Sequence, residues 1–261
     1  MNITQQIERL AQALGTAERI LIITGAGLSA DSGLPTYRGL GGLYNGHTAE
    51  GLPIEAALSG PMLQRDPALC WKYLAEIGRA GLGAQPNAGH EAIAALQRMK
   101  PQCWVLTQNI DGYHRAAGSP PERLIEIHGE LSPLYCQSCG AVDTQLAEHL
   151  SRPLPPACAQ CGGVLRPPVV LFEEMLPEAA IDSLYAEVRK GFDLVLSVGT
   201  SASFPYIVEP LLRTRQAGGF TAEVNPTRTD LSGVVDLYLQ GRALDVLPGL
   251  LSHIQAHRIC K

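Results

Sequence analysis

Four of the seven cysteines fall into two pairs, Cys136-Gln137-Ser138-Cys139 and Cys158-Ala159-Gln160-Cys161, with the 18 residues 140–157 between them. Two C-x-x-C knuckles at that separation suit one Zn2+ held by four thiolates. Gly140 and Gly162-Gly163, directly after the pairs, allow the tight turn each knuckle makes. Two disulfides are the alternative, and a reducing compartment disfavours them. Four thiolates leave no open coordination position, so the expected metal is structural and not catalytic. Cys70, Cys103 and Cys260 stand outside the pattern.

Proton-transfer chemistry points to another pair of segments. Thr107-Gln108-Asn109-Ile110-Asp111-Gly112 follows the apolar run Cys103–Leu106. Polar residues at the carboxyl end of a parallel strand are where open α/β sheets bind ligands, although the same residues also cap a following helix. His128 ends the alternating stretch Leu124-Ile125-Glu126-Ile127, read as a short strand ending at the histidine, with Gly129 relieving the turn. An unperturbed imidazole titrates near ~6.5 and so exchanges protons at neutral pH, but a strand-end histidine also serves as a satisfied structural group. His90 lies at a helix entrance, where a hydrogen bond to the backbone suffices. His47, His114, His149, His253 and His257 sit among polar or helical neighbours.

Ile20–Gly39 reads ILIITGAGLSADSGLPTYRG. The apolar run Ile20–Ile23 suits a strand buried on both faces. It passes into Gly25-Ala26-Gly27, with Ala30 where a third glycine would complete a dinucleotide fingerprint. Such a turn cradles a pyrophosphate or simply joins strand to helix. The polar, glycine-rich continuation predicts a long loop folded over a ligand.

Taken together and in order, these segments resemble the sirtuins, the NAD-dependent protein-lysine deacylases, whose first motif runs GAGxSxxSGIPxFR. The resemblance continues through Gln108–Asp111, His128-Gly129, the paired cysteines, Gly199-Thr200-Ser201 and Asn225-Pro226, and covers essentially the whole chain. It implies an enzyme, a transferase or hydrolase acting on acyl-lysine, that takes NAD as co-substrate and holds one structural zinc. By the resemblance His128 is the general base on a ribose hydroxyl and Asn109 orders the reacting groups. Nicotinamide and O-acyl-ADP-ribose are the implied products. The cofactor residues carried over are Gly25, Ala26, Gly27, Ser29, Thr36, Tyr37, Arg38, Gln108, Asn109, Ile110, Asp111, Gly199, Thr200, Ser201, Asn225 and Ala243. Transfer of ADP-ribose to a protein, or NAD hydrolysis, is the alternative on the same scaffold.

Arg166–Pro177 resembles the family's RPxVVxFGE stretch, so Val169, Val170 and Phe172 are expected beside a substrate bound as an extended strand. Glu173 replaces the glycine of FGE. The family branch that favours acidic acyl groups carries a Tyr-x-x-Arg pair. Counting from Trp71 and Pro86 puts Leu74 and Ile77 at those positions, which predicts an apolar acyl pocket.

The elements that position these residues follow from periodicity. Ile3, Ile7, Leu10 and Leu14 mark a helix, with Thr4 as cap and Gly15 as its end. Helices are also expected around Pro61–Leu63, Ala68–Arg79 and from Pro86 onward; Phe192–Val198 and Ala222–Asn225 read as further strands, and Leu231–Leu251 as the last strand and helix. Buried runs separated by helices predict an α/β fold, a doubly wound, Rossmann-like parallel sheet. Residues 1–261 are expected to form one catalytic domain, with a zinc-ribbon-like insertion over 133–166. The net charge of −5 offers no field for nucleic acid. No apolar run approaches the ~20 residues of a membrane span, and the start MNITQQIERL lacks the pattern of a signal peptide. A cytoplasmic protein is expected, and the oligomeric state is left open.

Overall fold

Every residue of Ile20–Thr24 (β1) is buried, because helices cover both faces of the sheet to which it belongs. The structure is a computed structural model and describes residues 2–34 and 47–259. Eight more strands follow: Cys103–Thr107 (β2), Leu124–Glu126 (β3), Leu134–Cys136 (β4), Val142–Asp143 (β5), Leu165–Arg166 (β6), Leu194–Val198 (β7), Phe220–Asn225 (β8) and Leu237–Gln240 (β9). Six of the nine form one sheet in the order β3-β2-β1-β7-β8-β9, parallel throughout. The order runs outward from β1 in one direction and from β7 in the other. This is the doubly wound pattern, with its switch point between β1 and β7.

Alternate side chains of β1 enter different cores. Ile20 and Ile22 pack with Leu10, Leu14, Ile93 and Leu250 from helices Ile3–Thr16, Ala88–Met99 and Ala243–Ile259. Leu21 and Ile23 pack with Leu184, Val188, Ile207 and Leu211 from helices Glu178–Lys190 and Pro205–Gln216. A third core lies off the sheet. There helix Pro67–Gly81 contributes Cys70, Trp71 and Leu74, packed against Leu134, Leu150 and Leu165 of the segment that carries the paired cysteines. Within that segment β5, β4 and β6 make a small separate sheet, and the Trp71 indole donates to the Leu165 carbonyl at 2.9 Å.

Three local expectations change. Asn2, not Thr4, caps the first helix, in a reciprocal box with Gln5. That helix runs through Gly15 to Thr16. The strand expected to reach His128 stops at Glu126, and the Gly129 N–H closes a turn on the Glu126 carbonyl at 3.1 Å.

The returning segment 167–172 crosses directly over this turn. Gly129 has φ +73, and a Cβ there would lie 1.9 Å from the Pro168 carbonyl oxygen. Glycine is therefore required both by backbone conformation and by space. The crossing lets the Val170 N–H reach the His128 carbonyl at 2.9 Å. Further along, Glu173 adopts φ +65, a conformation that suits the glycine it replaces. Its side chain is exposed.

Candidate active site

At the switch point the loops after β1 and β7 touch. The Gly25 N–H donates to the Val198 carbonyl at 3.1 Å and the Gly27 N–H to the Gly199 carbonyl at 2.8 Å. A Cβ on Gly25 would meet Thr200 Cβ at 2.7 Å, and one on Gly27 would meet Gly199 Cα at 2.8 Å. The glycines are needed first for this loop-to-loop contact, a reason the sequence reading missed when it assigned them to ligand approach. The expected long loop begins instead as a short helix, Ala26–Ser29, and a 3-10 turn, Ala30–Ser32. Thr36, Tyr37 and Arg38 lie outside the described residues.

Thr200 joins the polar strand ends. Gln108 Nε2 donates to its hydroxyl at 2.7 Å, and Asn225 Nδ2 to its carbonyl at 3.0 Å. Ser201 is exposed beside it, its hydroxyl 2.9 Å from that of Ser203. Ala243 is buried where the last helix begins. The carboxyl ends of β1, β2, β7 and β8 thus form one polar ledge over the switch point, which fits a dinucleotide.

Beside this ledge lies a cavity of about 290 Å3. Its lining includes Ala26, Ser29, Asn109, Ile110 and Asp111 together with the apolar Ile77, Leu82 and Leu131. Asn109 Nδ2 donates to the Gly25 carbonyl at 3.0 Å and to Ser29 Oγ at 3.1 Å. Ser29 Oγ in turn donates to Asp111 Oδ2 at 2.7 Å, while Asp111 Oδ1 accepts the Tyr113 N–H at 2.9 Å. Burial pushes the Asp111 carboxyl above the usual carboxylate range, with the bonds from Tyr113 and Ser29 opposing it. Of the two expected acyl-pocket residues, Ile77 lines this cavity. Leu74 is buried in the third core and is not among the lining residues.

Two histidines lie beneath the network. The Asn87 N–H donates to His90 Nδ1 at 3.2 Å, so the His90 proton sits on Nε2, 3.4 Å from Ser29 Oγ. This is the backbone role expected for His90, extended by a contact that reaches the site. His114 Nε2 lies 2.9 Å from the Thr24 hydroxyl. Burial lowers His90 to about 4; burial and the neighbouring His90 lower His114 to about 3. The sequence reading passed over His114. Its only local signal is its place in the short helix Tyr113–Ala116 that follows the polar strand end.

His128 is held at both ring nitrogens. Nδ1 lies 3.1 Å from the Gln108 carbonyl, which only accepts, so Nδ1 carries the proton. Nε2 therefore accepts from the Tyr206 hydroxyl at 2.8 Å. Burial lowers the imidazole's pKa, and the Gln108 carbonyl pulls it back upward. The sequence pattern gave Tyr206 no role, since it follows the Gly199-Thr200-Ser201 turn with no motif of its own. The segment Val169–Phe172 is pinned alongside: Val170 on His128, and Phe172 on Leu58 and Gly60 at 2.9 and 3.0 Å.

The four thiols come together as the spacing predicts. Their sulfurs all lie within 4.8 Å of one another, with Cys136 and Cys161 3.4 Å apart and Cys139 and Cys158 3.7 Å apart. Four Zn–S bonds of ~2.3 Å in a tetrahedron put the sulfurs ~3.8 Å apart. Disulfide bonds need ~2.05 Å, and all four cysteines are free. The set fits one structural Zn2+.

The Sir2 family model matches residues 25–205. The chain belongs to the Sir2 family. This sirtuin is 78% identical over 248 residues to NAD-dependent protein deacylase 2 of Pseudomonas aeruginosa, covering 95% of this chain and 97% of that one. The crystal structure of a Sir2 homologue–NAD complex superposes with a TM-score of 0.82 at 35% identity, over 96% of this sirtuin and 94% of the homologue. A Sir2 protein bound to a myristoylated histone peptide superposes at 0.80, with 28% identity, over 98% and 99%. No helix among the described residues is long and apolar enough to cross a membrane.

Two outcomes follow from this geometry. Cys161→Ser should lower bound zinc well below one per chain by metal analysis and loosen the third core, whose Leu165 and Leu150 lie beside the thiols, because structural zinc contributes folding free energy directly. The second concerns His114. Its folded pKa lies below the ordinary ~6.5, so below that pH the unfolded chain binds a proton that the folded chain refuses. Stability present above ~6.5 is therefore lost as pH falls toward about 3. Between pH 7 and pH 5, denaturant melts of His114→Asn should show a pH loss smaller than wild type by about 2 kcal/mol. Equal pH slopes for the two proteins would refute it.

Proposed function

We propose that this protein removes neutral acyl groups from lysine side chains of proteins, with the acyl group in the cavity that Asn109 lines and His128 as the base. As a Sir2 protein this chain is an NAD-dependent protein deacylase. The observation that carries the residue assignment is the double role of Gln108. Its side chain is fixed on Thr200 of the cofactor ledge, and its carbonyl fixes the tautomer of His128. Base and co-substrate ledge are thereby one rigid unit.

NAD supplies the ribose to which the acyl group passes, with nicotinamide as the leaving group. The chain's residues bind, orient and move the proton. His128 presents an unprotonated Nε2 to a ribose hydroxyl, and its lowered pKa keeps it neutral, hence basic, at pH 7. Asn109, only 8% exposed, fixes the geometry beside the reacting centre, and the buried surroundings keep water from competing for the activated sugar. Asp111 is placed to accept from the nicotinamide carboxamide. Gly25–Gly27, Ser29, Thr200, Ser201, Asn225 and Ala243 surround the remainder of the co-substrate.

Acyl preference follows from the apolar part of the lining. Ile77, Leu82, Leu131 and Leu146 are apolar. Among the described residues of the lining the cation is Arg115, already paired to Glu126 at 2.9 Å and to Glu130. A succinyl carboxylate buried there would lack a free partner and cost several kcal/mol, whereas each methylene of a neutral chain gains up to ~0.8 kcal/mol. Ile77, rather than Leu74, is the residue that sets this wall. The substrate peptide lies extended beside Val169–Phe172, recognised mainly through its main chain. We read residues 133–166 as a zinc module within one catalytic domain, working in the reducing cytoplasm with no nucleic-acid partner.

Two measurements test the reading. On one peptide bearing acetyl, butyryl, longer or succinyl lysine, kcat/KM should be higher for every neutral group than for succinyl; a succinyl preference would overturn the acyl assignment. His128→Ala should lower deacylation by ~10²–10⁴ while nicotinamide exchange survives better, since exchange precedes the base's step. A variant that deacylates at the wild-type rate would remove His128 from the mechanism.

A further inference from the structure

The geometry points to Tyr206 as a positioning residue for His128, holding the imidazole so that Nε2 faces the ribose hydroxyl it must deprotonate; this rests on the base role proposed above. Tyr206 lies in the first turn of helix Pro205–Gln216, and its hydroxyl donates to Nε2 at 2.8 Å. Its ring stacks on Phe204, with centroids 5.4 Å apart and planes 12° from parallel. The rings of Phe204 and Tyr206 both meet the imidazole edge-on, at 5.8 and 6.1 Å.

The direction of the bond is set by chemistry. Nδ1 gives its proton to the Gln108 carbonyl, so Nε2 has only a lone pair to offer and the phenol must be the donor. Burial raises the Tyr206 phenol to about 12, so it keeps its proton at every working pH and remains a donor. An imidazole anchored at Nδ1 alone pivots about that bond. Anchored at both nitrogens, it is fixed in tautomer and in tilt.

Burial does not by itself demand this bond. Tyr206 is only partly buried, and water would satisfy its hydroxyl equally well. In turnover the ribose hydroxyl takes over the Nε2 lone pair: its O–H bond breaks, the N–H bond forms on Nε2, and Tyr206 retains its own proton throughout. The tyrosine thus holds the base aligned until the substrate replaces it.

Tyr206→Phe keeps the ring and its stack on Phe204 and removes only the oxygen. With acetyl-lysine peptide and saturating NAD, deacylation kcat should fall about 10-fold, the scale of a slightly misaligned catalytic group. Nicotinamide exchange and the KM for NAD should stay within twofold of wild type, which a general structural defect would not permit. The double variant Tyr206→Phe with His128→Ala should be no slower than His128→Ala alone, because Tyr206 acts through the imidazole. Deacylation by Tyr206→Phe within twofold of wild type or faster, exchange falling in parallel with turnover, or a further loss in the double variant would each overturn the assignment. If His128→Ala itself deacylates at the wild-type rate, the base role fails, and the role of Tyr206 fails with it.

Discussion

The close approach of two turns at the centre of the sheet governs this molecule. Gly25 and Gly27 follow β1, Gly199 follows β7, and the two backbones meet with no room for a Cβ on any of the three. β1 and β7 are neighbours running in the same direction, so their carboxyl ends open into the same crevice. Pressing the turns together lets Thr200 receive hydrogen bonds from both Gln108 and Asn225. Residues from four strands thereby share one ledge. Any side chain at these turns would separate them and part the ledge, so the constraint acts on packing and on chemistry at once.

From the ledge, order spreads through polar side chains that are buried and mutually satisfied. The Asn109 amide, the Ser29 hydroxyl and the Asp111 carboxyl form a chain of donors and acceptors, with the His90 imidazole against Ser29 behind it. Such a network is costly when broken and rigid when complete. His128 is fixed from the opposite side, by Gln108 and Tyr206. The imidazole is therefore tied both to the ledge and to the helix that follows β7.

The zinc module reaches the site through packing. Gly78 of helix Pro67–Gly81 leaves space that Leu150 fills, a Cβ there lying 2.9 Å from the leucine methyl. Arg79 also donates twice to the Leu150 carbonyl, at 2.8 and 3.1 Å. The same helix places Ile77 on the cavity. The cysteine-bearing segment, the helix and the cavity wall are thus mechanically continuous, so a metal on the four thiols would help shape a pocket whose lining includes none of its ligands.

Motif chemistry was legible in the residues alone. The knuckle spacing brings four sulfurs together because short loops leave few other arrangements. Apolar runs read as buried strands because both faces of a parallel sheet are covered. The polar set at Gln108–Asp111 falls at a strand end, as expected of an open sheet. What tertiary structure decided are contacts between residues far apart in the chain. Gly25 and Gly27 meet Gly199, His114 meets Thr24, and Tyr206 meets His128; none leaves a local periodicity to read. Leu74 and Ile77 share a helix and pack on one core, yet only Ile77 also reaches the cavity. Sequence determines local geometry and chemical type through spacing, while the tertiary fold decides which distant backbones approach, since that depends on the packing of the whole sheet.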